Sequence, residues 1–344
     1  MDIGAKDVAL KSLFKSKVRF ADLFNGVLCN GGQVISADEL QQTGNEDVMI
    51  VEDITGKEVV VERYRDTVMT WNDDCNLVVL AVENQDKIHY AMLVRNMLYD
   101  ALSYTGQMRD VWNNIPEEDK PKRFSDEFFS RFRKNDKLYP IVTLVVYYGD
   151  LEVWDGNVDI HQMFGDQMNE QTARFLKKYA ANYKVNLVNF AEIEDINVFK
   201  TDLREFSGMI KYRKDEKKMK EFLMSNEASM SRIDLEMSRV MEFMLGVKFG
   251  EKHIVEENGK KVINVCKAFE DHMLRGKIEC KIEQLIEMVV RKVALGKNLD
   301  VIVSDLDDTL ENIQPIYDAV TECGIDAKVE DIYIAWESKV NVLK

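Results

Sequence analysis

No cysteine pair in this chain is spaced C-x-x-C. Its five cysteines, Cys29, Cys75, Cys266, Cys280 and Cys323, are scattered and odd in number. That argues against a zinc knuckle or a disulfide framework and leaves them as small apolar packing residues. The four histidines, His89, His161, His253 and His272, are far apart and form no H-E-x-x-H, so zinc-hydrolase chemistry is not expected. Proline is scarce (4 residues) and 46% of the chain is apolar, a composition of folded rather than disordered chains. No apolar run approaches the roughly 20 residues of a membrane span. Residues 1–17 mix charges and lack the apolar core of a signal peptide, so a cytoplasmic protein with no membrane partner is expected. A basic excess is missing as well: 46 Lys and Arg face 61 Asp and Glu, a formal charge of −15. Tight, non-specific DNA binding is not expected of such a chain without a metal, although a local basic stripe remains compatible with it.

At 344 residues the chain is long enough for one large domain with an appendage, or for two domains. Apolar residues spaced by three and four over residues 7–28 predict an amphipathic helix, stopped by Asn30-Gly31-Gly32. Strands are expected at 48–51, 58–71 and 76–83, an antiparallel meander with turns at Thr55-Gly56 and Asn72-Asp73-Asp74. A helix at 88–112, an apolar strand at 138–148, a helix at 167–183 and a strand at 185–190 complete an α/β domain around one mixed sheet. From residue 199 onward the pattern is mostly helical. The exceptions and details are a hairpin at 253–265 turning at Asn258-Gly259, a long helix at 267–295, and short helices at 299–306 and 309–320.

The chemistry is concentrated where the third strand ends. Asp66 precedes the apolar run 77–82, which closes on Glu83-Asn84-Gln85. Alternation puts positions 83 and 85 on one face of a strand, and a carboxylate from a neighbouring strand can converge there. Hard oxygen ligands of this kind suit Mg²⁺ or Mn²⁺, which activates water and steadies a phosphodiester transition state. An acid at the end of a Val- and Leu-rich strand is costly unless a cation compensates it.

The block running from Val82 through Glu83-Asn84-Gln85 to Tyr90-Ala91-Met92, and on through Arg95 to Asp100, resembles that of the bacterial recombination-promoting nucleases. That family is also described as transposases or invertases within the PD-(D/E)XK phosphodiesterase superfamily. Lys11 to Phe14, Phe20 to Asn25, Arg65-Asp66, Leu144 to Gly149 and Trp154-Asp155-Gly156 are similar too. The likeness covers roughly residues 6 to 200 and is loose beyond them. It implies a restriction-endonuclease-like fold over residues 1–198, with a mostly helical region at 199–344, and metal-dependent endonuclease activity on DNA. Asp66 and Glu83 would be the metal carboxylates. Gln85 stands where many superfamily members have lysine; its amide supplies no positive charge but can orient water or a phosphate oxygen. Lys87 is then a substitute cation. A third acid from the first helix is implied as well, with Asp22 preferred over Asp7.

Arg95, in an apolar stretch of the following helix, reads either as a phosphate or acid partner or as an ordinary helix arginine. Lys122, Arg123, Arg131 and Arg133, with Lys120, Lys134 and Lys137, form the best DNA-backbone candidate or, alternatively, a solvated loop face. The C-terminal helices are acidic around residues 303–310, which is wrong for reading DNA, so self-association or protein binding is expected of them. The stretch Asp305-Leu306-Asp307-Asp308-Thr309 echoes a phosphatase loop but lacks the buried strand that such a loop follows. The competing function is a non-catalytic interaction module on a nuclease fold, favoured by the acidic charge and the missing lysine.

Overall fold

The computed structural model describes residues 3–43, 46–52, 58–64, 67–73, 76–85, 87–148, 153–165, 169–257 and 259–342. The chain is mixed α/β with a helical C-terminal region, and it packs as two units that meet in sequence at Cys266 and Lys267.

The expected first helix is two helices, α1 (Ile3–Leu13) and α2 (Lys17–Leu28), separated by a turn at Phe14–Ser16. Leu10, Leu13, Phe14, Phe20, Leu23 and Phe24 are fully buried, so most of the apolar positions read from the sequence are buried despite the break, Val8 being exposed. The exit from α2 is fixed by Asn25. Its Nδ2 donates to the carbonyl of Ile35 (2.8 Å), and its Oδ1 accepts from the amides of Val34 (3.1 Å) and Ile35 (2.9 Å). Gly31 holds φ +84° in this turn, a conformation that costs glycine little.

The expected meander is divided between two sheets. Strands β1 (Leu40–Gln42), β2 (Glu46–Glu52), β3 (Glu58–Tyr64), β4 (Thr67–Asp73) and β5 (Asn76–Gln85) follow α2. The segment read as one strand over 58–71 is therefore β3 and the start of β4. Among the described residues β2 and β3 form a two-stranded sheet, whereas β4 lies between β1 and β5. Thr67 and Met69 of β4 and Leu40 of β1 are in the core, where β4 has a neighbour on each side.

After β5 the chain crosses through α3 (Met92–Asn113) and the short α4 (Asp126–Ser130) to β6 (Ile141–Tyr147), and then through α5 (Glu170–Tyr179) to β7 (Asn186–Asn189). β6 runs parallel to both β5 and β7, giving the order β1-β4-β5-β6-β7. Val145 and Tyr147 in one row of β6, and Leu144 and Val146 in the other, are buried, as expected of a strand covered on both faces. Gln107 of α3 pins the entry to β6: its Oε1 accepts from the Tyr139 amide (2.8 Å) and its Nε2 donates to the Tyr139 carbonyl (3.2 Å).

Helices α6 (Leu203–Tyr212), α7 (Glu216–Ser225), α8 (Glu227–Met230) and α9 (Leu235–Leu245) come next, with a small antiparallel sheet of β8 (Ile233–Asp234), β9 (Ile254–Glu257) and β10 (Lys260–Ile263). Glu257 pairs with Lys260 across the expected hairpin turn, where Gly259 has φ +75°. α9 packs on α1, and α6 on α2 and α9. Residues 199–266 thus belong by packing to the unit that holds the large sheet, because acids at positions 202 and 236 are bonded to Arg19 of α2.

The second unit opens within α10 (Val265–Ala294) and continues through α11 (Leu299–Leu306), α12 (Leu310–Cys323) and α13 (Val329–Val342). Ile286, Val289, Ile302, Ile313, Ile316, Ala319, Val320 and Ile332 form its core. Asn298 caps α11 by accepting from the Val301 amide (3.1 Å), and Asp307 ends it in the left-handed region. No helix among the described residues is long and apolar enough to cross a membrane.

Candidate functional site

Glu83 and Gln85 are among the last three residues of β5. In the parallel register Glu83 pairs with Val145 and Gln85 with Tyr147. Those two partners are buried together with Met92 of α3 and with Trp154. The C-terminal ends of parallel strands are where crevices open in α/β sheets. At this end the chain passes through exposed Lys87, His89 and Tyr90 before entering α3. Tyr90 Oη donates to Asp155 Oδ2 at 3.5 Å, and Trp154 Nε1 donates to the Gly156 carbonyl at 2.9 Å. The Trp154-Asp155-Gly156 turn is thereby brought beside the exit from β5. Asp66 lies outside the described residues; its neighbour Thr67 pairs with Val82.

The buried residues of α3 are Met92, Leu93, Asn96, Tyr99 and Leu102, with half-buried Arg95 and Asp100 among them. Arg95 Nε donates to Tyr99 Oη (2.8 Å), and the Arg95 guanidinium carbon is 5.2 Å from the centre of that ring. Asp100 accepts from Thr143 Oγ1 (3.2 Å) and from Tyr183 Oη (2.6 Å). Between them Asn96 is 1% exposed, and neither atom of its amide has a hydrogen-bond partner among the described residues. Sequence reading passed over Asn96. Its signal was present all the same, since it shares the helical stripe of Met92, Leu93 and Tyr99 while being polar.

Asp22 is buried, and the structure gives it partners of a different kind from a metal. Both carboxylate oxygens accept from the Lys200 amide (2.8 and 3.0 Å), and Oδ2 also accepts from the Thr201 amide (2.8 Å) and hydroxyl (2.6 Å). These bonds close the turn before α6. They account for a buried acid on α2 without a cation, since backbone donors satisfy a carboxylate well. The ligand role implied for Asp22 finds no support in this arrangement.

The basic segment is mixed. Lys122, Arg123 and Arg131 are exposed, but Arg133 is held by Asp136, with Nη2 2.9 Å and Nε 3.0 Å from its Oδ1. Burial alone would raise the Asp136 carboxyl, yet the Arg133 hydrogen bonds and charge hold it below the usual carboxylate range. Lys120 pairs with Glu117. Two phenylalanines project from the same surface: Phe124 is 71% exposed and Phe129 69%, and the guanidinium carbon of Arg123 is 5.3 Å from the Phe124 ring centre. Cations beside exposed rings are the combination used on single-stranded nucleic acid.

Among the described residues no three His, Cys, Asp or Glu side chains gather as a metal site. No protein-family model, curated protein or solved structure matches the chain.

Proposed function

We propose that this chain is a metal-dependent DNA endonuclease, with a restriction-endonuclease-like core and a role in recombination- or transposition-related DNA processing. The observation that carries this reading is the position of Glu83 and Gln85. They stand two residues apart at the C-terminal end of β5, beside buried apolar partners, and the chain then crosses over to parallel β6. Alternation along a strand gives positions 83 and 85 a common face. Buried apolar neighbours make an uncompensated carboxylate costly there, and a divalent cation offsets that cost.

In this reading Asp66 and Glu83 hold Mg²⁺ or Mn²⁺, which when bound supplies an activated water and charge stabilisation. The orphaned amide of buried Asn96 fits a hydrated cation nearby. Gln85 orients water or a phosphate oxygen, and exposed Lys87 is a cation next to the site. Arg95, engaged with Tyr99, is better suited to bracing α3 than to reaching phosphate, although its charge still offsets the acids. Lys122, Arg123 and Arg131, with Phe124 and Phe129, are the DNA-contacting candidates. Self-association through the C-terminal helices belongs to the same reading; exposed Leu274 and Ile278 on α10 support it. The second reading, an inactive nuclease fold serving as an interaction module, is favoured by the charge of −15.

Plasmid nicking with Mg²⁺ or Mn²⁺ separates the two. Wild-type protein should nick, and Asp66→Ala and Glu83→Ala should abolish the activity. Nicking that survives both substitutions refutes the site; absence of nicking with either metal favours the interaction module. Parallel incubation with RNA decides the polymer.

A further inference from the structure

Asn96 lies one helical turn after Met92 and one turn before Asp100 on the buried side of α3. Met92 packs with Val145 and Tyr147 of β6, and Asp100 accepts from Thr143 Oγ1 at 3.2 Å. The helix therefore follows the row 143-145-147 of the sheet, and Asn96 overlies the interval between Thr143 and Val145. In the β5–β6 register those residues neighbour Ala81 and Glu83. Asn96 is 1% exposed, and both Nδ2 and Oδ1 lack a partner among the described residues. An amide shut away from water without partners is worse for the fold than an apolar side chain of the same size, and α3 uses Leu93 and Leu102 for plain packing. Its polar neighbours on the helix, Arg95 and Asp100, both have bonds.

We infer that Asn96 is a positioning residue of the divalent-cation site at Glu83, an inference that rests on the metal-dependent reading above. Its Oδ1 accepts a hydrogen bond from a water of the hydrated cation, and its Nδ2 donates to a site oxygen. Mg²⁺ and its substitutes keep several waters, and such outer partners set both affinity and orientation.

The test is calorimetric binding of Mn²⁺ alone to the full chain, with thermal unfolding with and without the ion, for wild type, Glu83→Gln, Asn96→Leu and Asn96→Ala. The expected result is that Glu83→Gln loses binding. Asn96→Leu should unfold at or above the wild-type temperature without metal, while its Kd for Mn²⁺ rises roughly 10–100-fold. A wild-type Kd in Asn96→Leu overturns this inference and leaves the Glu83 site standing. Failure of both Asn96 variants to fold gives the residue a structural role and overturns it equally. Binding that Glu83→Gln does not weaken, or no Mn²⁺ binding by wild type, overturns the inference and the metal-dependent reading together.

Discussion

Arg19 and Asp202 form a two-point ion pair between α2 and the start of α6: Nε meets Oδ1 at 2.9 Å and Nη2 meets Oδ2 at 2.7 Å. The same guanidinium donates through Nη1 to Glu236 Oε2 at 2.7 Å and through Nη2 to Asp234. Glu236 in turn accepts from Ser12 Oγ of α1 at 2.7 Å. Burial alone would lower the Arg19 pKa, but the hydrogen bond to Asp202 and the three carboxylates raise it above its ordinary value, so it stays cationic. Burial pushes the Asp202 carboxyl up, against the pull of Arg19.

Replacing Arg19 with methionine should therefore be severe. It strands the mostly buried Asp202 beside the half-exposed Asp234 and Glu236, and breaking a buried pair costs about 3–5 kcal/mol. Urea unfolding at pH 7 should show a midpoint lowered to match, with Arg19→Lys recovering only part, because lysine cannot make the fork. The pH dependence has a definite sign. A carboxyl whose folded pKa is raised binds its proton more tightly in the folded state. Stability therefore falls as pH rises from the unfolded value towards the folded one. The Arg19→Met deficit should accordingly be smaller at pH 4 than at pH 7. A loss below about 1 kcal/mol, as for a surface pair, would show that the cluster is well solvated.

Asp305 presents the opposite case, in the second unit. Lys292 Nζ at 2.8 Å and Lys297 Nζ at 2.5 Å both donate to its Oδ2. These hydrogen bonds, Lys292 first, bring the carboxyl down to about 2. A lowered folded pKa contributes stability above the unfolded value of 3.8, and that contribution is lost as pH falls from there towards 2. Carbon-detected NMR titration should place the midpoint near 2, and Lys292→Met with Lys297→Met should return it towards the ordinary carboxylate value. An unmoved midpoint in the double variant would assign the shift to another cause. The first acid of the run 305–309, Asp305, thereby ties α11 to the end of α10.

What could be read in the sequence was local. α11 has the expected bounds of residues 299 and 306, because the Asn298 cap and the Gly296 break before it are signals within a few residues. The hairpin about Gly259 is of the same kind. The division between β3 and β4 was not legible, since nothing at the junction shows that β3 pairs with β2 while β4 pairs with β5 and, further back in the chain, with β1. Arg19 and Asp202 are 183 residues apart, and nothing near either announces the other. At the candidate site, the apolar run placed the end of the strand at Glu83, and β5 runs two residues further, to Gln85. The placement of Asn96 beside the row that neighbours Glu83 depends on the crossover through α3 and on the β5–β6 register, neither of which is local.

In the proposed endonuclease reading, Phe124 and Phe129 bear on the form of nucleic acid bound. Both rings are exposed, their centroids are 6.2 Å apart, and Phe124 holds φ +70°, a conformation that side-chained residues seldom adopt. With exposed Lys122 and Arg123 alongside, the surface suits stacked bases of an unpaired strand and the phosphates between them. Base stacking on an aromatic ring is worth about 1–3 kcal/mol, so Phe124→Ala with Phe129→Ala should weaken binding of a single-stranded oligonucleotide by at least about tenfold. Such exposed side chains contribute little to packing, and the unfolding midpoint should barely move. Lys122→Ala with Arg123→Ala should instead flatten the dependence of affinity on salt, because it removes phosphate contacts rather than stacking. Fluorescence anisotropy across a salt series distinguishes the two effects. Unchanged affinity in the double phenylalanine variant would return this segment to a solvated loop face.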